Sequence, residues 1–166
     1  MMETVEMMRA GDWETVRAIY LEGIATGHAA FETEGSELCG VGRGALIFQA
    51  RCPRKRRRRS ERVGGSCAGF SRCVYGGVAE VSVYVSEAHR GEGLGKALLS
   101  ALIEASEANG IWCLQAGVFP ENTASIFLHQ LSGFREVGRR ERIGKMNRKW
   151  RDTVLLERRS GVVGVE

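Results

Sequence analysis

Apolar and polar positions fall into blocks of two periods along the chain. Residues 3–8 alternate weakly, as a first strand would. From Trp13 the period becomes helical: Trp13, Val16, Ile19, Tyr20 and Ile24 form one stripe, with Asp12 in the N-cap place and Gly27 beyond the end. Phe31 to Glu34 reads as an extended or looping segment. Order is strongest from residue 78 on. Ala79 to Val85 alternates with β-branched and aromatic residues, a strand. A glycine-rich turn follows. Leu94, Ala97, Leu98, Ala101, Leu102 and Ala105 then share one helical face, ending near Asn109-Gly110. Residues 111–119 read as a strand, Thr123 to Leu131 as a short helix closed by Ser132-Gly133, and residues 134–138 and 150–157 as two antiparallel strands. Residues 160–166 read as a tail.

Residues 37–70 break this regularity. They are rich in Gly, Cys, Arg and Ser, and only Ala45 to Phe48 resembles a core element. Between Arg51 and Arg62 stand eight bases and one acid, a local +7 against +4 for the whole chain, so the remainder is net acidic. The run Arg54 to Arg59 should repel itself and stay solvated.

Length and composition then narrow the class. With 166 residues, 43% hydrophobic and 27% charged, the chain is expected to be one soluble domain, residues 1–159, with the tail beyond it. No apolar run approaches the roughly 18–20 residues of a membrane helix. Acid at Glu3 and Glu6 without an apolar stretch argues against a secretion signal, so a cytoplasmic location is expected. The five cysteines include no Cys-x-x-Cys pair, and neither they nor His28, His89 and His129 form a metal-ligand set, so no metal is expected.

A strand, a glycine-rich turn and an amphipathic helix together suit phosphate. Helix N-terminal N–H groups lack partners, the helix dipole favours anions, and glycine allows close approach. The P-loop spacing is absent. Gly91-Glu92-Gly93-Leu94-Gly95 has the wrong spacing for a dinucleotide turn and lacks the acid about 20 residues on. Arg90-Gly91-Glu92-Gly93-Leu94-Gly95 instead matches the Arg/Gln-x-x-Gly-x-Gly/Ala signature of the GNAT superfamily of N-acetyltransferases. Preceded by Glu80-Val81-Ser82-Val83-Tyr84-Val85, it resembles the phosphinothricin acetyltransferase branch, and it is similar to enzymes of arsinothricin resistance. Pro120 to Ser125, His129, Gly133-Phe134 and Trp150-Arg151-Asp152 agree. The resemblance covers roughly residues 3–34 and 72–159.

The resemblance implies an α/β GNAT fold: a mixed, mostly antiparallel twisted sheet, helices on both faces, and a splayed central strand pair. It implies acetyl-CoA as co-substrate, its pantetheine arm paired with Val83, Tyr84 and Val85 and its pyrophosphate taken by Arg90, Gly91, Glu92, Gly93, Leu94, Gly95 and Lys96. Glu80 is the expected general base for an attacking amine, against the alternative of a solvated strand glutamate. His129 is expected near the thioester sulfur, as donor to the leaving thiolate or proton relay; the plainer reading is a surface helix histidine. Asn122 is expected at the cofactor, or simply as an N-cap. Phe31, Arg72 and Tyr75 are expected to select the substrate, Arg72 by pairing with an acidic group. Phosphinothricin, arsinothricin, methionine sulfone or sulfoximine and ordinary amino acids all remain open as the amine. A homodimer is implied by resemblance alone.

That resemblance also calls for a second helix and an alternating β2–β3 hairpin within residues 37–70, where the sequence reads as neither. An out-of-frame translation between compensating shifts near residues 36 and 71 accounts for the loss and recovery of the family pattern, and translating the coding DNA in the other frames checks it. Two competing readings are a nucleic-acid binder acting through Arg51 to Arg62 and a protein that binds acetyl-CoA without turnover. No aromatic residue interleaves the arginine run, which argues against the first.

Overall fold

The alternating segments pair into a mixed sheet in a computed structural model, which describes residues 4–8, 10–29, 31, 46–51, 62–67 and 75–165. The strands are β1 (Thr4–Met7), β2 (Leu46–Arg51), β3 (Arg62–Cys67), β4 (Val78–Val85), β5 (Cys113–Val118), β6 (Arg135–Met146) and β7 (Lys149–Arg159). The helices are α1 (Trp13–Ala25), α2 (Leu94–Ala108) and α3 (Thr123–Leu131). Among the described residues the sheet has seven strands in the order β1-β2-β3-β4-β5-β7-β6. All neighbours are antiparallel except β4 and β5, which run parallel.

That parallel pair governs the site. Val78, Ala79 and Glu80 are in register with Cys113, Leu114 and Gln115, and pairing stops there. β4 runs on to Val85 and β5 to Val118. The two strands therefore part after Glu80 and Gln115, leaving ladder groups on their facing edges without each other. The expected splayed pair is present.

Helices cover both faces. α2 buries Leu98, Leu99, Leu102 and Ile103 against Ala79, Val81, Leu114, Ala116 and Leu156. Each fully buried leucine contributes about 2 kcal/mol of transfer free energy. α1 buries Val16 and Ile19 on the opposite face, and Tyr20 meets Tyr84 of β4 edge to face at 5.1 Å. Alternation along β4 thus sends Ala79 and Val81 to the α2 core, while Glu80, Ser82 and Tyr84 lie on the α1 side.

Several expectations need correction. Residues 37–70 do contain paired strands: β2 and β3 match Leu46 with Ser66 and Phe48 with Gly64, and β3 continues the ladder to β4. Backbone pairing there prevails over a composition poor in strand formers, because sheet context outweighs intrinsic propensity. The run Arg54 to Arg59 lies outside the described residues. Asp12 occupies the N-cap position of α1 but makes no side-chain cap bond. β6 runs on to Met146, well beyond the expected end at 138, while β7 keeps close to the expected 150–157; the two are joined through Asn147 and Arg148, both at positive φ. The segment after β7 is tied down: Ser160 N–H donates to the Trp112 carbonyl, its hydroxyl donates to Glu107, and Gly164 lies against the Trp112 side chain.

Candidate active site at the splayed strands

The turn after β4 has the shape of an anion cradle. Gly91 and Gly93 take φ of 82° and 83°, the left-handed region that a side chain disfavours, and the space where their Cβ atoms would sit is open. Gly93 is the N-cap of α2 and supplies no side chain to cap it. The first N–H groups of α2 are therefore available to an acceptor, and no acid occupies the first turn. Gly95 does something else: a Cβ there would stand 2.9 Å from Leu128 of α3 and 3.7 Å from Val85. Glycine at 95 lets α2 start tight against α3 and β4. Arg90, Glu92 and Lys96 are exposed, with Glu92 accepting from or pairing with His89 Nδ1 at 3.0 Å.

Glu80 occupies the last paired position of β4, where the strands begin to part, and is exposed. Its neighbour in register, Gln115, lies on the same side of the sheet, because residues paired across a parallel ladder point the same way. Further along, Gly117 of β5 leaves open space where a side chain would be. The α1 side of the splay thus carries a carboxylate at its base and little bulk on β5. Val83, Tyr84 and Val85 line the opposite arm, half-buried.

α3 begins beside the splay. Asn122 caps it, its Oδ1 accepting from Ser125 N–H at 3.2 Å while its Nδ2 donates to the His28 carbonyl at 3.2 Å. The capping role is therefore present. His129 is not at the surface. It is 3% exposed, lies edge to face with Phe134 at 5.0 Å, and donates from Nδ1 to the Ser125 carbonyl at 2.7 Å. Burial pushes its imidazole below the ordinary value, opposed by the Ser125 carbonyl. With Nδ1–H engaged, buried Nε2 is left as an acceptor with no partner among the described residues. In the neutral tautomer that donates from Nδ1, Nε2 is an acceptor, so a thiolate-donor role calls for a second proton on the ring.

Of the expected substrate residues, Tyr75 is exposed just ahead of β4 and Arg72 lies outside the described residues. Phe31 packs edge to face on Phe119, at the end of β5, with centroids 4.8 Å apart. The residue that sequence reasoning passed over is Arg151. Its side chain is 15% exposed and lies 4.1 Å over the Phe119 ring. Nη1 donates to the Gly27 carbonyl, and Nη2 donates to His28 Nδ1 and Glu121 Oε2. Glu121 is held below the usual carboxylate range first by its own backbone N–H, with Arg151 adding to it. The only sequence signal for Arg151 was its place between Trp150 and Asp152. Among the described residues no group of three His, Cys, Asp or Glu side chains is arranged to hold a metal ion, and no helix is long and apolar enough to cross a membrane.

Residues 34–134 match the Acetyltransferase (GNAT) family. The chain is 32% identical to a phosphinothricin N-acetyltransferase of Alcaligenes faecalis, over 93% of this chain and 81% of that protein. It is 40% identical to an L-methionine sulfoximine/L-methionine sulfone acetyltransferase of Pseudomonas aeruginosa over 49% of this chain; the match spans about half, 47%, of that relative. Among solved structures it is similar to a GNAT superfamily phosphinothricin acetyltransferase of Sinorhizobium meliloti in complex with AcCoA, with a TM-score of 0.87 and 28% identity, covering 100% of this chain and 92% of that one.

Proposed function

The chain belongs to the acetyltransferase (GNAT) family, and from that premise we propose that it transfers the acetyl group of acetyl-CoA to the amino group of a small amino-acid-like substrate of the phosphinothricin or methionine sulfone/sulfoximine type. The observation that carries the reading is the parting of β4 from β5 immediately after Glu80, ahead of an uncapped helix start with two left-handed glycines. The described residues fit the cofactor. The free edge of β4 at Val83 to Val85 suits the amides of a pantetheine arm, as an added strand would. The turn from Arg90 to Lys96 suits a pyrophosphate. The names of the relatives support the amine class.

Bound acetyl-CoA supplies an acetyl thioester. Glu80, at the base of the splay, removes a proton from the substrate ammonium, directly or through water, so that the nitrogen lone pair is free to attack. Asn122 holds the start of α3 beside the cofactor channel. Phe31, with Tyr75 and Arg72, bounds the amine. His129, itself on α3, packs that helix against Phe134. The homodimeric state and the cytoplasmic location implied by resemblance and sequence belong to the same reading, and light scattering reads out the former.

Thiol release from acetyl-CoA across phosphinothricin, arsinothricin, methionine sulfone, methionine sulfoximine and ordinary amino acids tests the reading. Turnover is expected with at least one oxidised or acidic methionine-like amine. Acetyl-CoA binding without thiol release from any of them would replace it with a non-catalytic role.

A further inference from the structure

The reading of Phe31 as a wall of the amine pocket leaves the question of what fixes its ring, and three features of β6 and β7 converge on the answer. The ring lies over Gly144, where an added Cβ would stand 2.4 Å from Cε1 and 2.8 Å from Cζ. Any side chain at 144 therefore turns the ring away. Gly144 reaches that place because β6 is bulged: its register with β7 shifts between Arg140 and Gly144, and Arg142 takes a φ of 50°. Asp152 clamps the bulge. Its Oδ1 accepts from Arg142 N–H at 2.8 Å and its Oδ2 from Arg139 Nε at 2.9 Å. The next residue back, Arg151, holds the other side, gripping the Gly27 carbonyl four residues before Phe31 and lying on Phe119, whose ring Phe31 meets.

We propose that Gly144, Arg151 and Asp152 are positioning residues that set the size of the amine pocket by fixing the Phe31 ring. This rests on the function proposed above. The three residues touch neither substrate nor cofactor in this account. Adjacent residues of β7 act from two directions: Arg151 through the loop after α1, and Asp152 through the bulge that brings Gly144 under the ring.

The test is a protein labelled with fluorophenylalanine, with the Phe31 resonance assigned by its loss in Phe31→Leu. That resonance is expected to move in Gly144→Ala and in Arg151→Met, while the resonances of the other phenylalanines distant from the loop stay put. A Phe31 resonance unmoved in both variants overturns the proposal, whatever the enzyme assay gives. In steady state, Gly144→Ala is expected to change the ratio of kcat/KM between a small and a bulky amine by about tenfold, the discrimination that one methylene-sized contact supplies. The KM for acetyl-CoA is expected to hold, and the change to vanish in a Phe31→Ala background. An unchanged ratio, or a change that persists without the ring, overturns the proposal. Absence of turnover with every amine removes the proposed function instead, and the resonance alone then decides this inference.

Discussion

Arg148 holds a side chain in backbone better suited to glycine. It and Asn147 form the two-residue turn between Met146 and Lys149, with φ of 63° and 49°. Asn tolerates that region, but an arginine Cβ crowds the following carbonyl. Arg148→Gly is expected to stabilise the protein by about 1 kcal/mol, net of glycine's greater unfolded-chain entropy, read from the midpoint of urea unfolding; an unchanged or lower midpoint would refute this. His129 gives a second residue-scale expectation. Its folded value lies below the ordinary 6.5 because of burial. Between those two values the unfolded chain binds the proton that the folded chain refuses, so stability falls as pH drops through 6.5 toward the folded value, below which this contribution flattens. Unfolding midpoints across that range are expected to slope less in His129→Gln than in the unaltered protein. Equal slopes would show that His129 is not the group responsible. The burial of His129 was not legible in the sequence: a histidine in a nine-residue helix reads as surface until Phe134, five residues on, folds back against it.

At the scale of elements, β4, α2 and α3 were legible because their periods run unbroken and glycines mark both ends of α2. The parting of β4 from β5 was implied by resemblance and not by the pattern of β4. An apolar alternation says that a strand is half-buried; it does not say where its neighbour leaves it. Of β2 only the stretch to Phe48 was legible, and β3 was illegible because Gly64, Gly65 and the flanking arginines oppose strand formation locally, and pairing with β4 decides the outcome. Arg151 was passed over for a related reason. Its partners Glu121 and Gly27 stand 30 and 124 residues away in sequence, beyond any local periodicity. The α2–α3 junction yields a direct expectation. Gly95→Val drives a branched side chain into Leu128 and should destabilise the protein by about 1–3 kcal/mol. Acetyl-CoA affinity should weaken with it, because the displaced turn carries the proposed pyrophosphate site. Calorimetric titration with acetyl-CoA checks this, and an unaltered affinity would separate the junction from the cofactor turn.

Over the whole molecule, two helical layers brace a sheet whose central strands are paired at one end and open at the other. The segment after β7 locks the paired end: Ser160 bonds to Trp112 and Glu107, and Trp112 lies so close to Gly77 that a Cβ there would stand 1.9 Å from its ring. The open end carries Glu80 at its base and the glycine turn at its rim. This division of rigid and open ends is what makes the fold suited to holding an extended cofactor, and the central claim is that Glu80 works there as a base. The most direct measurement is thiol release from acetyl-CoA by the unaltered protein and by Glu80→Gln, with the best amine of the panel, alongside the acetyl-CoA dissociation constant of each. The account expects kcat to fall by about a hundredfold or more in Glu80→Gln, with acetyl-CoA binding unchanged. Equal kcat in the two proteins would contradict it.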